Sequence, residues 1–345
     1  MKIKRKFIRV SILLLIVLLI WFQWWHLSKS IFPLEKEVQK GGLKFMLAQS
    51  LPTRVTEAGG IAYGKKFYLL GGIDAFGRTT QKFWEYDPEK DEWKRLPDLP
   101  VYINHPAVVA SRNKIFVVGG FGPIGIRLRW LMFADWKPLN TVYVYDISSA
   151  TWSPGKNMPV KRGAGGVAIC DTAIWYTGGI NEEKKISNAF HYFSFTDSQW
   201  RSLPAMPTPR DHMRMEWVNG KLYAISGRKD DLRKNLGAVE VFDAATKKWT
   251  SVDNIPTPRG GFGSAVVGKY IYTFGGESFF DCFGNIERLD TETGRWEKLP
   301  SLPEARHGIV CGVIDGKVHL VSGGRHPRIS TSNIHRVLEI KNSNP

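Results

Sequence analysis

Residues Gly294 to Gly308 read GRWEKLPSLPEARHG. This stretch holds one Trp, two Leu-Pro pairs, an Arg and a His, and it shows no helical or strand period of its own. Its meaning lies in recurrence. A Trp followed seven residues later by Pro occurs as Trp93/Pro100, Trp152/Pro159, Trp200/Pro207, Trp249/Pro256 and Trp296/Pro303, and Phe45/Pro52 repeats the spacing with another large aromatic. Successive prolines stand 48, 59, 48, 49 and 47 residues apart, so one interval carries about eleven extra residues. Self-similarity at this period is the mark of a repeat architecture, here of six units.

The rest of the unit appears on reading backward from each Trp. An apolar strand ends in Gly-Gly at Gly71, Gly119, Gly178, Gly275 and Gly323, weakened to Ser226-Gly227 in the fourth copy. A variable polar loop follows, and then a second strand ends in Tyr86-Asp87, Tyr145-Asp146, Phe242-Asp243 or Leu289-Asp290, with Phe193-Ser194 departing only in the acid. This set of Gly-Gly, aromatic-Asp and Trp resembles the kelch repeat over Leu43 to about Ile340. The resemblance implies an all-β, six-bladed propeller, each blade four antiparallel strands, A to D from hub to rim. After the last Gly-Gly one strand, NIHRVLEI, remains before Pro345, and no seventh Trp follows. Blade six therefore needs LKFMLAQS from the N-terminal side as its D strand, a seam that removes an exposed sheet edge.

Composition agrees with this class. The chain has 345 residues, 43% hydrophobic and 23% charged, and its 34 Gly and 19 Pro suit short strands punctuated by turns. Cys170, Cys282 and Cys311 fall at unequal places in the repeats, which suggests neither a disulfide ladder nor a CxxC metal site, and their odd number leaves at least one free thiol. No Asn-x-Ser/Thr acceptor occurs. The formal charge is +16, of which Lys2, Lys4, Arg5, Lys6, Arg9 and Lys29 supply six before the first acid, Glu35. The remaining excess favours anionic partners, but without a run of Lys/Arg it gives no nucleic-acid stripe.

The N-terminus reads as membrane-directed. A basic tail, residues 1–9, precedes an apolar run from Val10 to Trp25 broken only by Ser11 and Gln23. Sixteen residues at 1.5 Å each make roughly 24 Å, between a signal-peptide core and a full span. Trp21, Trp24 and Trp25 suit an interfacial belt, and the basic leader suits a cytoplasmic side. The expectation is one transmembrane signal anchor at 10–25, a linker at 26–42 and an extracytoplasmic propeller at 43–340. Cleavage near Ser28 and Ser30, giving a secreted protein, is the competing reading. Entry at the start of the last D strand would turn the D–A and B–C loops away from the membrane.

Chemistry is expected on that loop face. D–A loops carry PxxR at Arg162, Arg210, Arg259 and Arg306, with Arg54 one residue nearer its proline and Ile103 as the exception. B–C loops add Glu182, Arg228, Glu277 and Arg325. A ring of guanidiniums suits bidentate recognition of carboxylate or phosphate, whereas a recurrent Arg equally suits hydrogen bonding to blade carbonyls. His105 and His212 stand two residues beyond the Arg position and His307 one, which places imidazoles on alternate blades. With no carboxylate or Cys counted at matching spacing, polar channel lining is expected rather than a metal, and no cofactor. The long second-blade insert, FGPIGIRLRWLMFADWKPLN, offers Trp130 and Trp136 for a sugar face or a peptide aromatic, or as a lid on its own blade.

Two functions remain open at this point. One is a membrane-anchored recognition module for a protein or an anionic glycan, which the kelch resemblance implies. The other is a sugar mutarotase or epimerase, similar to the six-bladed kelch mutarotase that acts on sialic acid, with Glu277 or Glu182 as acid/base and the arginines holding a carboxylate. A galactose-oxidase type is disfavoured, since Cys282 has no neighbouring Tyr. The oligomeric state is left open.

Overall fold

Strand B of each repeat is five residues long and rich in β-branched, aromatic and aliphatic side chains, as in KFYLL at Lys66–Leu70 and AIWYT at Ala173–Thr177, and its interior is buried. Tight turns join A to B: Asn219-Gly220 and Asp315-Gly316 both hold positive φ at the two central positions, the geometry that continues strand twist into a hairpin. C strands end on Asp because the carboxylate accepts backbone N–H bonds from the turn that follows. Asp146 takes Ser148 N and Ser149 N at 3.0 Å, and Asp243 takes Ala245 N at 3.0 Å and Thr246 N at 2.8 Å.

The computed structural model describes Val17 and residues 34–123, 136–328 and 330–340. The chain divides into Met1–Lys36 and Glu37–Pro345, and all described strands lie in the second unit. Five blades follow one another as four-stranded antiparallel sheets, with A strands Gly59–Tyr63, Ala107–Ser111, Gly166–Cys170, Arg214–Val218 and Gly263–Val267. The sixth has A, B and C at Val310–Ile314, Lys317–Val321 and His335–Glu339, and Leu43–Leu47 pairs with its C strand in the register Phe45↔Leu338. The six-bladed propeller and its seam are thus as read from the repeats.

Packing closes the ring. Each A strand touches the next all the way round, Val310–Ile314 against Gly59–Tyr63 included. Six apolar clusters fill the six gaps between neighbouring blades, for example Tyr68, Leu70, Val108 and Ile115 between the first two. Each repeated Trp donates its indole N–H to a carbonyl of the preceding blade's D–A segment: Trp152 to Pro97 O, Trp200 to Lys156 O and Trp249 to Pro204 O, at 2.8 to 2.9 Å. The Trp-x6-Pro spacing therefore encodes a stitch from one blade to its neighbour.

Three details differ from the sequence reading. Residues Glu37–Lys40, expected as linker, form a fifth strand outside Leu43–Leu47. The hairpin turns at Gly41-Gly42 and sets Glu37 opposite Met46, so the chain enters blade six from its D–A side and not from the opposite face. In blade six the strand-ending pair is Ser322-Gly323, one residue earlier than read, because Gly323 N donates to Val55 O as Gly72, Gly120, Gly179, Gly227 and Gly276 donate to the matching residue of the next blade. The pair demands close approach: at Gly179, with φ +87°, a Cβ would lie 2.6 Å from Gly163 O. Among the described residues no helix is long and apolar enough to cross a membrane, and the expected span at 10–25 lies outside them apart from Val17.

Candidate functional site at the hub

Five residues after each repeat proline the backbone turns left-handed. Glu57, His105, Ala164, His212, Gly261 and Gly308 occupy this position in blades one to six, all with φ between 49° and 62°. Each of five N–H groups here donates to the carbonyl of its counterpart in the preceding blade, from His105 N to Glu57 O at 2.9 Å round to Gly308 N to Gly261 O. The result is a collar at the mouth of the central channel. Its side chains, where present, face one another, and His105 and His212 have ring centroids 4.8 Å apart.

A cavity of about 440 Å³ opens above this collar on the D–A/B–C face. Its walls come from the first residue after the strand-ending pair in blades one to five, each paired to the D–A segment, Ile73 through a short ladder to Thr56 and the other four through isolated bridges. In blades one to three these are Ile73, Phe121 and Ile180, joined by Trp136; in blades four and five they are Arg228 and Glu277. The pocket is thus lined mainly by apolar and aromatic side chains toward blades two and three, with Lys184 among them, and mainly by charged ones toward blades four and five, with Leu232 among them.

The charged side is densely bonded. Arg228 Nε donates to Asp211 Oδ1 at 3.2 Å, Nη1 to Glu277 Oε1 at 3.1 Å and Nη2 to His212 Nε2 at 2.7 Å. Asp211 also accepts from His212 Nδ1, and Glu277 Oε2 accepts the Arg328 backbone N–H at 2.7 Å. Glu57 lies 3.3 Å from His105 Nε2 through Oε2, and 3.1 Å from His307 Nδ1 through Oε1. His307 is buried, and its Nε2 has no hydrogen-bond partner among the described residues.

Burial opposes the charge on Glu57, but His105, His307 and His212 outweigh it and hold the carboxyl well below the usual carboxylate range. Burial drives His105 down to about 3 against the pull of Glu57. His307 moves the other way: burial works against its cation, yet Glu277 and Glu57 overcome that and raise it. Asp211 is likewise held low, its burial outweighed by His212 and Arg228. The cluster thus favours the ionised form of Glu57 and Asp211 and the protonated form of His307.

The sequence-predicted residues divide sharply. Arg162, Arg210, Arg259 and Arg306 are fully buried, so the expected guanidinium ring at the mouth does not form. Each turns outward into its own blade. Arg259 donates to Thr257 O, Gly275 O and Asn285 O at 2.9, 2.9 and 3.1 Å and pairs with Glu287 at 2.5 Å. Arg210 pairs with Glu240 at 3.1 Å, Arg162 meets His191 Nδ1 at 2.8 Å, and Arg306 reaches the carbonyls of Ser322 and Ile334. Val55, not Arg54, holds the equivalent place in blade one, and Arg54 donates to Thr331 O at 3.0 Å. Glu182 is half-exposed on Lys161, outside the pocket. Arg325 does not line it either, whereas Arg228, Glu277, His105, His212 and Trp136 do. Trp130 lies outside the described residues. Glu57 is the residue the sequence reading missed, although it follows Pro52 by the same five residues that separate His105 from Pro100 and His212 from Pro207.

The repeat pattern and this geometry meet in a match to the KLHDC2/KLHL20/DRC7 Kelch-repeats domain over residues 134–324, with the Kelch motif over 54–100 and 104–159. The chain belongs to the kelch-repeat family. Kelch propellers are typically protein-interaction modules. This kelch chain is similar to the Kelch-like protein terF of Aspergillus terreus, 26% identical over 62% of the chain and 48% of that protein. It is also similar to human Kelch repeat and BTB domain-containing protein 12, 28% identical over 46% of the chain and 28% of the relative. It thus spans less than half the length of these relatives. The solved structure of YjhT shares the fold, with a TM-score of 0.74 at 14% identity, covering 86% of this chain and 98% of that one.

Proposed function

We propose that this kelch propeller is a membrane-anchored recognition module that docks a partner protein on its D–A/B–C face, with one projecting group of the partner seated in the hub pocket. An anionic glycan presents the same demand for charge beside an aromatic wall. The carrying observation is the two-sided pocket, Ile73, Phe121, Trp136 and Ile180 facing Arg228 and Glu277. Pockets of this size with few convergent polar groups are typical ligand sites. Phe76 and Phe280, 72% and 80% exposed, stand on B–C loops of the same face, and exposed aromatics of this kind anchor interfaces. Anchoring rests on the Val10–Trp25 apolar run.

The test places a photo-crosslinking residue at Phe280 and, on the opposite face, at Asp197 in a C–D turn of the full chain. A discrete adduct is expected at position 280 alone, in a membrane fraction released by detergent. Equal labelling at both positions, or recovery without detergent, overturns the reading.

A second reading, mutarotation or epimerisation of an acidic sugar, is supported by the carboxylate–imidazole set of Glu57, Glu277 and His307 beside Arg228. Ring opening needs a base at the anomeric hydroxyl and an acid at the ring oxygen, and such a set supplies both. Anomer exchange of N-acetylneuraminate followed by NMR distinguishes the readings: acceleration abolished by Glu277→Gln supports the enzyme, and an uncatalysed rate excludes it for that sugar.

A further inference from the structure

We propose that Glu57, His105 and His212 form a binding site for one divalent first-row transition-metal ion at the floor of the hub pocket. The three stand at the same collar position in blades one, two and four, and each brings a ligand atom within 4.8 Å of the other two. Neighbouring ligands with bonds of about 2.1 Å lie roughly 3 Å apart around such an ion. The 3.3 Å between His105 Nε2 and Glu57 Oε2 meets this already, and a small side-chain movement brings in His212.

The hydrogen bonds fix both tautomers in the ligating form. Asn104 donates its amide to Thr79 Oγ1 at 2.8 Å, which leaves Asn104 Oδ1 facing His105 Nδ1 at 2.6 Å, so the proton sits on Nδ1. His105 Nε2 then presents a lone pair toward Glu57 Oε2 at 3.3 Å, a pair of acceptors that either a proton or a metal cation can bridge. His212 is set the same way: Asp211 accepts from its Nδ1, and Arg228, which can only donate, points at Nε2. A side-chain oxygen holding the far nitrogen of each ring is the support that metal-ligating imidazoles characteristically have.

His307 donates to Glu57 Oε1 and leaves Oε2 for the ion. Two imidazoles and one carboxylate on one side, with the pocket on the other, leave coordination positions open to water or ligand. Arg228 caps His212 in the metal-free arrangement. On metal entry it releases Nε2 and keeps Asp211 and Glu277.

This proposal is independent of what docks above, and its test uses no partner. The full chain is stripped with chelator and titrated with Zn2+ by calorimetry and with Co2+ by absorption, alongside Arg228→Met. One equivalent is expected, with Arg228→Met binding more tightly. Glu57→Gln and His212→Gln each weaken binding tenfold or more, and Asp211→Asn weakens it 10- to 100-fold, in chains whose thermal unfolding shows them folded. Absence of uptake in both wild type and Arg228→Met overturns the site, as does uptake that survives Glu57→Gln and His212→Gln.

Discussion

Arg259 shows how a repeated cation acts as structure. Its guanidinium is inaccessible and bonded to three carbonyls and Glu287, itself fully buried. Removing one partner of such a pair strands the other charge, which costs about 3–5 kcal/mol. Arg259→Met is therefore expected to destabilise the fold by about that amount in urea unfolding, and adding Glu287→Gln is expected to recover part of the loss. An Arg259→Met chain of undiminished stability overturns this role. The PxxR spacing was legible in the sequence; the direction of the side chain was not, because spacing locates a Cα and not the turn of a guanidinium. One signal pointed inward nonetheless. The second residue of the C strand is polar, His191, Glu240, Glu287 or Arg336, where an Arg precedes it, and Trp84 or Tyr143 where Val55 or Ile103 stands instead.

At the scale of elements, the seam depends on Leu43–Leu47. Phe45 is completely buried in the cluster between blades five and six, while the outer strand Glu37–Lys40 is largely exposed. Phe45→Ala is expected to cost about 3–5 kcal/mol. Val38→Ala, on the outer strand, is expected to cost about 1 kcal/mol or less. Thermal unfolding of the two variants checks this, and similar losses would mean that the seam is not closed by the inner strand. The inner strand was legible because Phe45 keeps the aromatic-x6-Pro spacing and because the last blade lacked a D strand. The outer strand was not: EVQK offers a single apolar residue, and its pairing follows from the Gly41-Gly42 turn.

At the scale of the whole molecule, six blades could be counted in the sequence, but the pocket could not be drawn from it. Its charged side is assembled across blades, with Glu57, His212, Glu277 and His307 between 30 and 250 residues apart in sequence and in contact only once the ring is closed. Closure also buries imidazoles, and that sets a pH dependence. Burial lowers His105 to about 3 and His191 and His319 to about 4, and it lowers His335 well below the ordinary value. Below an unfolded pKa near 6.5 the unfolded chain takes up protons that His105, His191 and His319 refuse until near pH 4 or lower, and that buried His335 resists likewise. Stability therefore falls with falling pH through that window, by on the order of 1 kcal/mol per unit for each histidine. His307 has the opposite sign: its folded value is raised, so its contribution is complete below 6.5 and is lost as pH rises through the folded value. The two together place the stability maximum near neutrality. Urea midpoints measured from pH 8 to 4.5 should peak close to pH 6.5–7 and fall steeply on the acid side; a profile flat from pH 6.5 to 5 would mean that these imidazoles are not held neutral by the closed ring.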